Sequence, residues 1–129
     1  MSQSPITHQW PLRIYYEDTD AGGVVYHANY LKFFERARTE YFASWYEEDL
    51  FEFQTRLNCQ FAVKTVSIDY IKSALLGQHC IVETSIIKQT PARLFFEQVL
   101  KLKATDVVLC QATVQVVCLT AQGKPRRLP

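Results

Sequence analysis

The chain has 129 residues, of which 48% are hydrophobic and 13% aromatic, and its 14 Lys and Arg residues almost balance 13 Asp and Glu residues. That length fits a single domain over residues 1–129, because a second domain would be too small to bury a core of its own. The apolar content excludes a disordered chain, and a net charge of +1 argues against a strongly basic nucleic-acid-binding protein.

The first part of the chain predicts a strand, a turn and one long helix. Residues 10–17 are rich in Leu, Ile and Tyr, which is typical of a strand, and the turn sequence DTDAGG ends it. From residue 28 to residue 46, apolar side chains recur at three- and four-residue steps, which predicts an amphipathic helix with Asn29 as its N-cap. Residues 47–58 predict a second helical turn and a loop.

The remaining chain predicts an antiparallel sheet. The predicted strands are residues 60–71, 78–88, 92–103 and 107–119. One helix cannot cover such a sheet alone, so we expect an α+β domain in which the antiparallel sheet wraps around one long central helix, the hot-dog fold. Long strands also leave an edge in need of protection, which a dimer that pairs these edges would supply.

The N-terminus and the cysteines lead us to expect a cytoplasmic protein. The first ten residues lack the basic and apolar regions of a secretory signal, and no apolar run is long enough for a transmembrane helix. Cys59, Cys80, Cys110 and Cys118 have no CxxC spacing, so we interpret them as small buried apolar residues in a reducing compartment. The three histidines are far apart in the sequence, and we predict no metal site.

The segment between the first strand and the helix carries the residues best suited to catalysis. Residues 15–30, YYEDTDAGGVVYHANY, place three carboxylates, two glycines and a histidine before a helix start. The N–H groups and dipole of a helix N-terminus stabilise a developing oxyanion, and glycines allow a ligand to approach the backbone. A carboxylate there can attack an acyl group or take a proton from water. The alternative, that Asp18 and Asp20 are turn residues and His27 a helix-end residue, stays open on these grounds.

The same segment closely resembles the motif of the hot-dog thioesterases of the 4-hydroxybenzoyl-CoA thioesterase family. It is most similar to the Tol-Pal-associated acyl-CoA thioesterases of bacteria. The matching stretches are RI at 13–14, EDTDAGGVVYHANYL at 17–31 and KFFERARTE at 32–40, and lesser similarity extends through IDY at 68–70 to KPRRLP at 124–129. The resemblance implies hydrolysis of an acyl-CoA thioester to a free acid and CoA without a cofactor, in a homodimer or a dimer of dimers (a homotetramer).

The resemblance also implies roles for individual residues. Asp20 is then the catalytic carboxylate, as nucleophile or as general base for water, and Asp18 supports it. A backbone amide near His27 donates to the oxyanion, and the His27 side chain polarises the thioester or orients water, unless it is merely structural. The residues expected to line the substrate pocket are Tyr15, Gly23, Val25 and Tyr26, with a core position as the alternative for Tyr15.

The phosphates of CoA would explain an uneven distribution of charge. Residues 1–58 carry five Lys or Arg against nine carboxylates, whereas residues 59–129 carry nine against four. Guanidinium and ammonium groups bind phosphate oxygens, so basic side chains of the second half are candidate contacts. These candidates are Lys64, Arg93, Lys124, Arg126 and Arg127, and the alternative is that they only keep the surface solvated.

Two other functions stay open from the sequence. One is a non-catalytic module that binds acyl-CoA or an acyl carrier protein. The other is an enoyl-thioester hydratase, although the hydratase pattern places its Asp and His closer together than the seven positions that separate Asp20 from His27. The sequence does not define the length of the acyl group.

Overall fold

The computed structural model describes residues 7–129. Within them, five strands form one antiparallel sheet, and two α-helices accompany it. The elements are β1 (His8–Arg13), a 3-10 helix (Tyr16–Asp18), α1 (Asn29–Tyr46), α2 (Leu50–Leu57), β2 (Gln60–Tyr70), β3 (His79–Gln89), β4 (Arg93–Leu102) and β5 (Val108–Leu119). The strand order in the sheet is β1-β3-β4-β5-β2. The predicted α+β arrangement, an antiparallel sheet with one long helix against it, is confirmed.

The core lies between α1 and one face of the sheet. Phe33, Phe34 and Ala37 of α1 are at most 2% exposed, because the helix turns its apolar stripe toward the strands. In β5 every second residue from Cys110 to Cys118 is buried, as expected when alternate side chains of a strand point to opposite faces. The apolar stripe of α1 and the buried face of β5 therefore pack together in one core.

Two predictions at the ends of the first elements are wrong. The first strand stops at Arg13, and the chain then enters the 3-10 helix because the Asp18 carboxylate accepts the N–H of Tyr15 at 2.8 Å. Asn29 is not the N-cap of α1, since Ala28 holds that position. Asn29 is instead the first helical residue, and its side-chain amide donates to Asp18 Oδ1 at 2.8 Å.

Residues 47–58 contain a full second helix rather than a single turn. Asp49 caps α2 by accepting the N–H of Glu52 at 2.8 Å, and Asn58 ends it in the left-handed conformation. No helix within residues 7–129 combines the length and the apolar character that crossing a membrane requires. The expectation that no secretory signal is present concerns, in part, residues 1–6, which lie outside the described residues.

The structure corrects the interpretation of two of the four cysteines. Cys59 and Cys118 form a disulfide, with Cα atoms 6.0 Å apart, because the pairing of β2 with β5 places Phe61 opposite Cys118. Cys80 and Cys110 are free and buried, as predicted. Burial raises the pKa of the Cys80 thiol to about 11 and that of Cys110 to about 12, so both remain protonated at neutral pH.

Strand β2 forms an open edge of the sheet and carries exposed apolar side chains. Val63, Val66 and Tyr70 are 49%, 39% and 49% exposed. An edge strand presents unpaired N–H and C=O groups along its outer side. This edge ends at Tyr70, where the candidate active site begins.

Candidate active site

The loop that precedes α1 is held by backbone hydrogen bonds on two sides. The N–H of Asp20 donates to Val24 O at 2.9 Å, which closes the loop on itself. The N–H of Val25 donates to Ala74 O at 2.9 Å, which ties the loop to the chain that follows β2. Gly23 has φ +81, a left-handed conformation that glycine adopts without strain, and this allows the tight reversal.

A cavity of about 300 Å³ opens where this loop meets the start of α1 and the end of β2. Its lining residues are Asp20, Val24, Val25, His27, Tyr30, Tyr70, Ile71, Lys72 and Ser73. The structure therefore brings together both predicted catalytic residues, Asp20 and His27, with Val25 of the predicted substrate pocket. Four lining residues, 70–73, come from a part of the chain that the sequence did not connect with the site.

The two aspartates of the loop have different surroundings. Asp18 is 6% exposed, and its two carboxylate oxygens accept hydrogen bonds from Tyr15 N–H and from the Asn29 side chain. Asp18 therefore fastens the 3-10 helix to the start of α1. Asp20 is exposed at the cavity, where its Oδ1 accepts the N–H of Gly22 at 2.8 Å and its Oδ2 has no donor among residues 7–129.

The start of α1 offers backbone donors at the cavity that Asp20 also lines. The N–H groups of His27 and Ala28 have no acceptor among residues 7–129, whereas the N–H of Asn29 donates to Tyr26 O at 2.8 Å. The positive end of the helix dipole lies at the same place. Because His27 lines the cavity, its backbone and the positive end of the helix dipole lie where a ligand enters, and Ala28 adjoins the lining residues.

Two tyrosines that the sequence did not assign to the site connect its parts. The Tyr30 hydroxyl accepts the N–H of Ala74 at 3.0 Å, and the Tyr70 hydroxyl donates to His27 O at 2.8 Å. Burial raises the pKa of both tyrosines, so both hydroxyls stay protonated. Both tyrosines lie in stretches that match the family motif, at 17–31 and at 68–70, but neither was assigned a role in the site from the sequence.

The other residues predicted for the substrate pocket are not among those that line the cavity. Tyr15 is 60% exposed beside the 3-10 helix, which excludes the core position that was its alternative. The Tyr26 ring contacts the His27 imidazole, with ring centroids 4.6 Å apart. Gly23 forms the turn described above. Whether Tyr15, Gly23 and Tyr26 touch a substrate stays a prediction.

The predicted phosphate contacts lie away from the cavity of the same chain. Gln60 is opposite Leu119 and Tyr70 is opposite Cys110, so the C-terminal residues lie about 33 Å from the cavity along the strands. The Arg126 guanidinium donates to the carbonyls of Leu57 and Asn58. The remaining candidates are Lys64 within β2, Arg93 at the start of β4, and Lys124 and Arg127 after β5. Lys72, which the sequence did not single out, is the basic residue among those that line the cavity.

An antiparallel sheet packed against one long helix, with Asp20 and the start of that helix at one cavity, defines a protein of the hot-dog class. A family model, the Thioesterase superfamily, matches residues 22–109. The chain belongs to this family, and it is therefore a thioester hydrolase.

Individual relatives agree with this assignment. The chain is 47% identical over 123 residues to the acyl-CoA thioesterase YbgC of Haemophilus influenzae, with 93% of this chain and 87% of that protein covered. It is 39% identical over 122 residues to the acyl-CoA thioester hydrolase YbgC of Escherichia coli O157:H7, at 94% and 89% coverage. The crystal structure of a probable thioesterase from Bartonella henselae superposes with a TM-score of 0.88 at 33% identity, covering 96% of this chain and all of that one.

Proposed function

We propose that this protein hydrolyses an acyl-CoA thioester to a free acid and CoA. The observation that carries the proposal is that the exposed Asp20 carboxylate lies at one cavity with His27, whose N–H group has no acceptor among residues 7–129. The names of the relatives, acyl-CoA thioesterase and acyl-CoA thioester hydrolase, support CoA as the carrier of the acyl group.

The chemistry requires a nucleophile, an oxyanion site and a leaving group. Asp20 either attacks the thioester carbonyl, which gives a mixed anhydride that water then hydrolyses, or takes a proton from the water that attacks. In both routes the carbonyl oxygen becomes negative and accepts hydrogen bonds from the backbone N–H groups at His27 and Ala28. The C–S bond breaks, and CoA leaves as a thiolate that takes up a proton. The His27 imidazole, at the edge of the cavity, polarises the carbonyl or orients the water.

The experiment that tests this proposal measures thiol release from a panel of short, long and aromatic acyl-CoA substrates. We expect turnover of at least one of them, with stoichiometric free acid. Tight binding of acyl-CoA or of an acyl carrier protein without thiol release would favour the non-catalytic module. Loss of enoyl-CoA absorbance without thiol release would favour a hydratase.

We also propose that two copies of the chain pair through β2. The open edge and the exposed side chains of Val63, Val66 and Tyr70 support this arrangement, because pairing would satisfy the edge and cover the apolar surface. A dimer of dimers is the larger assembly that the family resemblance implies. Light scattering is expected to give a mass of two or four chains.

Antiparallel pairing of the β2 edges would explain how distant basic residues reach the ligand. The two strands would run in opposite directions, so the end of one strand, at Tyr70, would lie near the start of the other, at Gln60. The C-terminal residues of the second copy, which follow the end of β5 opposite Gln60, would then approach the cavity of the first. In this arrangement Lys124 and Arg127 bind CoA phosphates.

Replacing Lys124 and Arg127 together by Ala should raise the KM for acyl-CoA about tenfold at low salt, because two charge-assisted contacts to phosphate are lost. High salt should reduce the difference by screening the charges. The control is the corresponding acyl thioester of N-acetylcysteamine, which has no phosphates and should show an unchanged KM. An equal rise in KM for both thioesters, or no rise for acyl-CoA, would contradict the phosphate contacts.

The family resemblance also supports two proposals about the cellular setting. The first is a role beside the Tol-Pal system, and the second is a cytoplasmic location, against which the Cys59–Cys118 disulfide counts because such bonds are rare in a reducing compartment. Acyl carrier protein is a further candidate partner, since it presents the same thioester chemistry to the cavity as CoA.

A further inference from the structure

Tyr70 lies in the candidate active site and has no role in the chemistry proposed above. It is the last residue of β2, lines the cavity, and donates its hydroxyl hydrogen to His27 O at 2.8 Å. Its ring also meets the Tyr30 ring edge to face, with centroids 5.4 Å apart and an interplanar angle of 72°. The hydroxyl therefore has a defined position at the start of α1.

The carbonyl that Tyr70 binds is one that the helix itself leaves without a partner. His27 precedes the N-cap residue Ala28, so its carbonyl lies outside the regular hydrogen bonds of α1 and would accept the N–H of Leu31, four positions later, only if the helix began earlier. The N–H of Leu31 donates instead to Ala28 O at 3.3 Å. The Tyr70 hydroxyl donates a hydrogen bond to the His27 carbonyl, so the orientation of this carbonyl depends on a side chain at the end of β2.

The peptide group that joins His27 to Ala28 is planar and trans, so its C=O and N–H point in opposite directions. Fixing the His27 carbonyl therefore also fixes the direction of the Ala28 N–H. A hydrogen bond to the carbonyl also polarises the amide and strengthens the N–H as a donor, by about 10–30%. The preceding peptide is held independently, because Tyr26 O accepts the N–H of Asn29.

We propose that Tyr70 is a positioning residue whose hydroxyl orients and polarises the His27–Ala28 peptide, and thereby sets the donor turn that receives the oxyanion. The link to the oxyanion rests on the proposed function, whereas the positioning of the peptide does not. A second hydrogen bond, from the N–H of Ala74 to the Tyr30 hydroxyl, joins the same two segments and keeps Tyr70 within reach of His27.

The variant Tyr70→Phe tests the proposal, because it keeps the ring and its contact with Tyr30 and removes only the hydroxyl. We expect kcat to fall about tenfold, less than the loss on deleting an oxyanion donor outright, with KM within twofold of the wild type. The matched control is Tyr16→Phe at a side chain that is 82% exposed, and it should change neither parameter. An unchanged kcat in Tyr70→Phe, or a joint loss of kcat, KM and thermal stability, would overturn the proposal.

A second measurement needs no substrate. In the free protein, Tyr70→Phe should move the amide-proton resonance of Ala28 upfield and shift the carbonyl carbon of His27, because both report on the lost hydrogen bond. Unchanged resonances would overturn the proposal even if turnover fell. Shifted resonances in a protein that hydrolyses no acyl-CoA would support the positioning contact and contradict the proposed function instead.

Discussion

Asp20→Asn should lower turnover of acyl-CoA by about a thousandfold, because an amide neither attacks a thioester nor accepts a proton from water at neutral pH. Asn retains an oxygen that can accept the N–H of Gly22, so the loop and the thermal stability should be unchanged. Steady-state thiol release and a thermal melt of the same preparation check both statements. Acyl-CoA affinity, measured by calorimetry, should remain close to that of the wild type.

The matched control is Glu17→Gln, which makes the same change of carboxylate to amide at an exposed position three residues earlier. It should leave turnover within about twofold of the wild type, since charge near the site alone is a small effect. If Asp20→Asn kept wild-type turnover on every substrate, or if Glu17→Gln lost as much, Asp20 would not be the catalytic carboxylate. A single turnover in ¹⁸O water adds detail, because label in the Asp20 side chain identifies the nucleophilic route.

Asp18→Ala should destabilise the fold by about 2–3 kcal/mol, because it leaves the Tyr15 N–H and the Asn29 side-chain amide without their buried acceptor. Turnover should fall as well, since the 3-10 helix and the start of α1 are then no longer joined. Urea unfolding at constant m-value measures the first effect. The two aspartates should therefore differ: Asp18→Ala lowers stability and turnover together, whereas Asp20→Asn lowers turnover alone.

A double-mutant cycle shows whether the Asp18 effect acts through Asn29. Asn29→Ala alone removes one of the two hydrogen bonds, and in the Asp18→Ala background it should cost much less, because the shared bond is already lost. Additive effects of the two substitutions would show that Asp18 does not act through this contact. If Asp18→Ala lowered the free energy of unfolding by less than about 0.5 kcal/mol, as ordinary surface substitutions do, the prediction for Asp18 would be contradicted.

The elements that the sequence predicts well are those whose pattern is local. The three- and four-residue steps of Phe34, Ala37 and Tyr41 locate α1 to within one residue at its start, because a helix must bury one face. The alternation in β5 locates that strand to within one residue for the same reason. The predicted end of β1 and the predicted cap of α1 were wrong. The buried Asp18 carboxylate fixes both places by hydrogen bonds, and its partners lie up to 11 residues away in the sequence.

The sequence by itself determined the class of fold, because the spacing of apolar residues is periodic. It also determined the thioesterase motif from Glu17 to Leu31 and the candidate pair Asp20 and His27, because these lie in one continuous segment. Only the tertiary structure showed the different surroundings of Asp20 and Asp18, joined Cys59 to Cys118, and brought Tyr70 to His27 across 43 residues. These relations follow from strand register and from the packing of α1 on the sheet. Such long-range contacts depend on the whole chain at once, and no local pattern records them.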